Sequence, residues 1–152
     1  MKRLWIYQSD RLLTDLECVQ VSEILGDFVK QWTAHGNQLL GSFEIRYNLF
    51  IFLIVDEEQA MVTGCSVDKS VHLLKKIENE LSIQLFDRLK IAYKHQDGNL
   101  RVVPSTVFEE LVKSGALNED TIVFNNMLTH ADDIDLKWEV PLRDSWHAKV
   151  YL

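Results

Sequence analysis

Seven consecutive apolar residues, Leu49-Phe50-Ile51-Phe52-Leu53-Ile54-Val55, stand between Asn48 and the charged run Asp56-Glu57-Glu58. Successive side chains of a strand point to opposite faces, so a run without polar alternation has to be covered on both. The run is far shorter than the roughly 20 residues that carry a helix across a bilayer. It therefore predicts a buried central strand, and the rest of the chain has to supply its neighbours and its cover. Phe43, Ile45 and Tyr47 alternate with Ser42, Glu44 and Arg46 just before it, the pattern of a strand with one wet face. Lys2 to Gln8 reads as a first strand. Asp56 to Gln59 makes a charged turn, and Ala60 to Thr63 is predicted as a short returning strand.

Helical patterns interleave with these strands. Thr14-Asp15-Leu16-Glu17 is a capping box, followed by Cys18, Val21, Leu25, Phe28 and Trp32 at spacings of three and four. Gly36 is the expected stop of this helix, which places Trp32 and His35 on one face near its end. A second helix is expected from Ser66 as N-cap, with Asp68 in its first turn and Val67, Val71, Leu74, Ile77 and Leu81 buried. Leu89 to Lys94 and Leu100 to Val103 flank His95-Gln96-Asp97-Gly98-Asn99, a hairpin signal. Thr106-Val107-Phe108-Glu109 reads as another capping box opening a short helix that stops at Gly115. Thr121 to Phe124 is a last strand, and the tail from Asn125 has no clean period. Hairpins among helices predict a single α+β domain over residues 1–152, with a mainly antiparallel or mixed sheet and helices packed on it.

Composition narrows the function classes. A net charge of −7, with 16 scattered basic residues, argues against nucleic acid or an anionic membrane as partner. The apolar stretch after Lys2-Arg3 stops at Gln8-Ser9-Asp10, too short for a secretory signal. Two cysteines in different predicted elements fit a reducing compartment, so a cytoplasmic location is expected.

The chemistry gathers at Thr63-Gly64-Cys65-Ser66-Val67-Asp68. A strand that breaks at Gly64 and turns into a helix puts Cys65 near unpaired N–H groups and the positive end of the dipole, which favour a thiolate. This resembles a nucleophile elbow without its second glycine. His35 and His147 are the candidate bases for Cys65 as nucleophile, while Cys18 is expected to be a small core residue. Gly64, Ser66, Asp68 and Trp32 are candidate ligand-binding residues around the turn. Glu44 and Arg46, two apart on one strand face, and Trp146 join them. A phosphate loop is not formed, because Asp68 precedes Lys69-Ser70 where that loop requires glycine and sets a carboxylate against the phosphates. The segment His130-Ala131-Asp132-Asp133-Ile134-Asp135 has neither zinc nor calcium-loop spacing, so no metal and no cofactor are expected.

Trp5-Ile6-Tyr7-Gln8, Trp32-x-Ala34-His35-Gly36, Phe43-Glu44-Ile45-Arg46-Tyr47, Val55-Asp56-Glu57, Gly64-Cys65-Ser66-x-Asp68-x-Ser70-Val71 and Ser145-Trp146-His147 together span the chain. In these motifs it resembles a family of small bacterial proteins of about this length, many of which carry the name ABC transporter ATPase. That name implies ATP hydrolysis, whereas the residues supply neither a phosphate loop nor an ABC signature. The resemblance implies that the Gly-Cys-Ser turn keeps company with the Ala-His-Gly and Trp-His segments.

Two functions follow as expectations. One is a small cytoplasmic binding or interaction module, expected as a homodimer, with its pocket near Gly64-Cys65-Ser66 and a small molecule or a protein as partner. The other is a thiol-dependent enzyme built on Cys65 with His35 or His147. ATP hydrolysis is expected of neither. Mg-ATP should leave the melting temperature unchanged in a thermal-shift titration, and a rise abolished by Lys69→Ala would contradict the reading of Asp68.

Overall fold

The apolar run becomes the middle of a sheet. In the computed structural model, which describes residues 1–152, the chain begins with β1 (Lys2–Gln8) and α1 (Asp15–Gln31). Two short strands, β2 (Thr33–Ala34) and β3 (Asn37–Gln38), precede β4 (Leu40–Arg46) and β5 (Phe50–Asp56), and α2 (Gly64–Leu81) follows. The sheet order is β1-β5-β4. Both neighbours run antiparallel to β5 in unbroken register, from Lys2 opposite Asp56 to Gln8 opposite Phe50 and from Leu40 opposite Asp56 to Arg46 opposite Phe50. These elements, with Thr129–Asp132, form one of two compact units.

Helices α1 and α2 form for the reasons their sequences state. The Thr14 hydroxyl accepts from the Glu17 N–H at 3.1 Å, and the Thr14 N–H donates to Glu17 Oε1 at 3.0 Å. Val21 and Leu25 of α1 and Leu74 and Ile77 of α2 are buried together with Ile51 and Leu53 of β5. Cys18, Phe43 and Ile45 are half-buried against that cluster. Each fully buried leucine or isoleucine here stabilises the fold by about 1.5–3 kcal/mol.

Three expectations are corrected in this unit. Helix α1 ends at Gln31 rather than near Gly36, and Trp32 already has extended backbone. Trp32 and His35 therefore share no helix face. The cause is the burial of Trp32, which packs with Ala34, Leu39 and Val55 and is partnered by Phe28 and Trp5. Gly41 is glycine because a Cβ there would lie 3.0 Å from Trp32 Cε3. Gly36 instead joins His35 in the two-residue turn between β2 and β3, both at positive φ (78° and 51°), as a tight hairpin requires.

Residues 60–63, expected as a strand, are irregular. Ala60 and Val62 pack against the Trp32 cluster, and the Val62 N–H donates to Glu57 Oε2 at 3.1 Å instead of entering the sheet. Finally, the cap of α2 lies three residues earlier than expected: it is Thr63, and Ser66 is the third residue of the helix.

The other unit comprises Asp87–Leu128 and Asp133–Leu152. It contains β6 (Lys90–Lys94), β7 (Leu100–Pro104), α3 (Ser105–Lys113), β8 (Ile122–Phe124), α4 (Ile134–Lys137), β9 (Glu139–Pro141) and α5 (His147–Tyr151). The strands form an antiparallel sheet in the order β7-β6-β8-β9. The Asp-Gly hairpin is present: Asp97 Oδ1 accepts from the Asn99 N–H at 2.9 Å and Gly98 has φ 86°. The second expected capping box does not form. Helix α3 is capped at Pro104 without a side-chain bond, because the chain is already helical at Ser105, whose N–H donates to Leu89 O at 2.7 Å. The tail supplies β9 as the outer neighbour of β8, a strand too short to show periodicity.

All the sheets are antiparallel with helices packed on them, so the α+β class expected from the hairpins is what the chain adopts. No helix is long and apolar enough to cross a membrane. Leu25→Ala or Leu74→Ala should cost about 2–5 kcal/mol in urea unfolding. A change within about 0.5 kcal/mol, the range of surface sites, would refute these core assignments.

Candidate functional site

The first turn of α2 is built by reciprocal bonds between Thr63 and Ser66. The Ser66 N–H donates to Thr63 Oγ1 at 3.2 Å, and the Thr63 N–H donates to Ser66 Oγ at 2.8 Å. The Ser66 hydroxyl in turn donates to Thr63 O at 2.8 Å. Ser66 is fully buried, whereas Gly64 and Cys65 are exposed. Cys65 therefore sits inside the first turn, on a helix of 18 residues, with its thiol toward solvent. The correction to the cap also moves Asp68 into the second turn, and no acidic residue remains in the first. The dipole and the leading N–H groups of α2 consequently act at Cys65 without a carboxylate in the same turn.

A second segment is tied to this turn. The buried Trp32 indole N–H donates to Ser66 O at 2.8 Å. Trp32 leads directly into β2, so the bond anchors the β2–β3 hairpin beside the start of α2. The structure thus brings Ser66 of the Gly64-Cys65-Ser66 turn together with Trp32, and α2 against β2 (Thr33–Ala34). His35 is exposed at the hairpin tip and makes no hydrogen bond with the thiol. Sequence reasoning missed Thr63 as the cap and missed Ser66 as the acceptor for Trp32. The available signal was Thr63-x-x-Ser66, with serine in the place where a capping box usually has Glu or Gln.

Glu44 and Arg46 do share a strand face. Arg46 Nε donates to Glu44 Oε1 at 2.8 Å, and the Arg46 guanidinium lies over the Phe52 ring at 5.0 Å. They lie on β4 and opposite β5, apart from the cap of α2.

Trp146 and His147 belong to the unit of residues 87–128 and 133–152. Trp146 is 37% exposed and its ring stacks on His147 with centroids 3.8 Å apart, while His147 is 3% exposed. The Ser145 hydroxyl donates to Leu142 O at 2.8 Å, so it accepts from the His147 N–H and from Nδ1–H, each at 3.2 Å. That assigns the ring proton to Nδ1. Phe108 closes the other side at 6.1 Å. Burial among these groups lowers the imidazole pKa to about 4.

No group of three or more His, Cys, Asp or Glu side chains is arranged to hold a metal ion. His130 engages Thr129 Oγ1 at 3.0 Å and bridges Arg3 on the edge of β1. No protein-family model, curated protein or solved structure matches this chain.

His147 makes stability depend on pH in a defined direction. Its folded pKa lies below the unfolded value, so its contribution is complete above about pH 6.5 and falls as pH drops toward about 4. The swing is about 3 kcal/mol for a shift of this size. His147→Phe keeps a ring between Trp146 and Phe108 but does not titrate. Its unfolding free energy should lose this component of the slope between pH 4 and about 6.5; an unchanged slope would contradict the burial argument.

Proposed function

We propose that the protein is a binding or interaction module whose contact surface is the first turn of α2 together with the β2–β3 hairpin. The observation that carries this reading is the buried Trp32–Ser66 hydrogen bond. Breaking it leaves the buried indole N–H unsatisfied, a loss of about 1–3 kcal/mol, so Trp32 and the chain that follows it are held against the first turn of α2. That surface offers His35, Gly36, Gly64, Cys65 and Asp68. Its ligand is a small molecule or a protein. The net charge of −7 speaks against nucleic acid and anionic membranes, and the two free cysteines fit the reducing cytoplasm.

A thiol-dependent enzyme is the second reading. It is favoured by the exposure of Cys65 in a first turn that contains no acid. The proposed bases weaken it. An imidazole with its pKa near 4 is a poor base for a thiol, and His35 is not bonded to Cys65.

Two measurements on one sample separate the readings. Small-molecule fragments titrated into labelled protein should shift amide resonances of Thr33–Gln38 and Gly64–Lys69, and Cys65→Ser should retain those shifts. Shifts centred elsewhere would defeat the module reading. Iodoacetamide should modify Cys65 roughly tenfold or more faster than Cys18, because burial and the nearby Asp15 and Glu17 push the Cys18 thiol up. Turnover or fragment binding that vanishes in Cys65→Ser would favour the enzyme.

A further inference from the structure

The structure treats its sheet edges unequally. The chain has two prolines, and they fall on the two outer strands of the second unit's sheet: Pro104 on β7 and Pro141 on β9. A residue without an N–H blunts pairing with another strand, a common protection of exposed edges. In the first unit, β1 starts with Lys2-Arg3 and is crossed by residues 129–130. Leu4 N–H donates to Thr129 O at 3.0 Å and Arg3 bridges His130. The remaining edge is β4. It has seven residues in regular register, with no proline, lysine or bulge, and no strand lies on its outer side.

We propose that the outer edge of β4 is a self-association surface, on which β4 pairs antiparallel with β4 of a second copy about a two-fold axis at Ile45. Side-chain parity restricts the registers, because Phe43 and Ile45 must stay on the face that packs against α1. A centre at Glu44 opposes Glu44 to itself. A centre at Phe43 opposes Glu44 to Ser42 and Arg46 to Leu40. A centre at Ile45 sets Glu44 of each copy opposite Arg46 of the other, two complementary pairs from one strand. The same register brings two Ile45 side chains together and completes the cover of residues that are only half-buried in the single chain. Gly26 of α1 lies against the Phe43 ring, at 3.8 Å from where a Cβ would be, so no side chain of α1 overhangs that part of the edge. The backward turn at Tyr47 and Asn48, both at positive φ, ends the ladder after Arg46 and keeps it short. The dimer is accordingly weak and concentration-dependent. This surface is distinct from the one proposed for ligand at α2, and each stands or falls alone.

Charge exchange tests the register. Sedimentation equilibrium should show wild-type dimer forming below about 1 mM in low salt. Glu44→Arg and Arg46→Glu, each alone, set like charges across the axis and should weaken the dimer about tenfold. The decisive sample is an equimolar mixture of these two variants. Their heterodimer restores both cross-copy pairs, while the Glu44–Arg46 bond within each strand stays broken, so association should return to the wild-type level. Thermal melts of each variant establish that it is folded. A wild type that stays monomeric at about 1 mM overturns the proposal. So do single variants that dimerise normally, and so does a mixture that fails to recover when Glu44→Arg/Arg46→Glu in one chain does.

Discussion

Everything in the first unit is arranged around a strand that is apolar on both faces. β5 has no solvent side, so β1 and β4 must flank it and helices must cover it, and both flanking ladders run its full seven residues. Ile51 and Leu53 of β5 meet the stripes of α1 and α2 on one face. At one end of the strand Val55 joins the cluster around Trp32. A charge placed at any of the buried positions Phe50 to Leu53 or Val55 would lose its water without gaining a partner, at a cost of several kcal/mol.

Trp32 converts that packing into local geometry. A tryptophan is buried readily only where its N–H finds an acceptor, and here the acceptor is a carbonyl in the first turn of α2. Reaching it draws the chain out of α1 at Gln31 and sends it directly into the β2–β3 hairpin. The glycine at 41 leaves room for the ring. The candidate surface is therefore a by-product of satisfying one indole, and its stiffness comes from the core rather than from the exposed residues themselves.

Ionisable groups are managed in two ways. Arg11 forks onto both oxygens of Glu17 at 2.8 Å and also donates to Leu81 O, so it ties the capping box of α1 to the end of α2. The pair holds the Glu17 carboxyl down to about 2, with the arginine hydrogen bond as the largest cause. His147 has no ion to pair with and is buried neutral between two aromatic rings and a serine. The first arrangement is on the surface and is screened by solvent; the second is not.

Much of this was legible in the residues. The central strand, the two long helices with their stripes, the Thr14–Glu17 box and the Asp97-Gly98 hairpin were all local, each set by periodicity, a cap or a turn within a few residues. The placement of Gly64-Cys65-Ser66 at a helix start was legible too, although the true cap, Thr63, lacked the usual glutamate signal. The end of α1, the hairpin at His35-Gly36, the irregular path of residues 60–63 and the edge strand β9 were not. Each is decided by a partner distant in sequence: Ser66 for Trp32, the Trp32 cluster for Ala60 and Val62, β8 for β9. The sequence by itself determined which elements exist, because burial period and capping are properties of neighbouring residues. Only the tertiary structure decided where those elements stop and that Trp32 stands against the first turn of α2, because a buried donor must find its acceptor wherever the fold provides one.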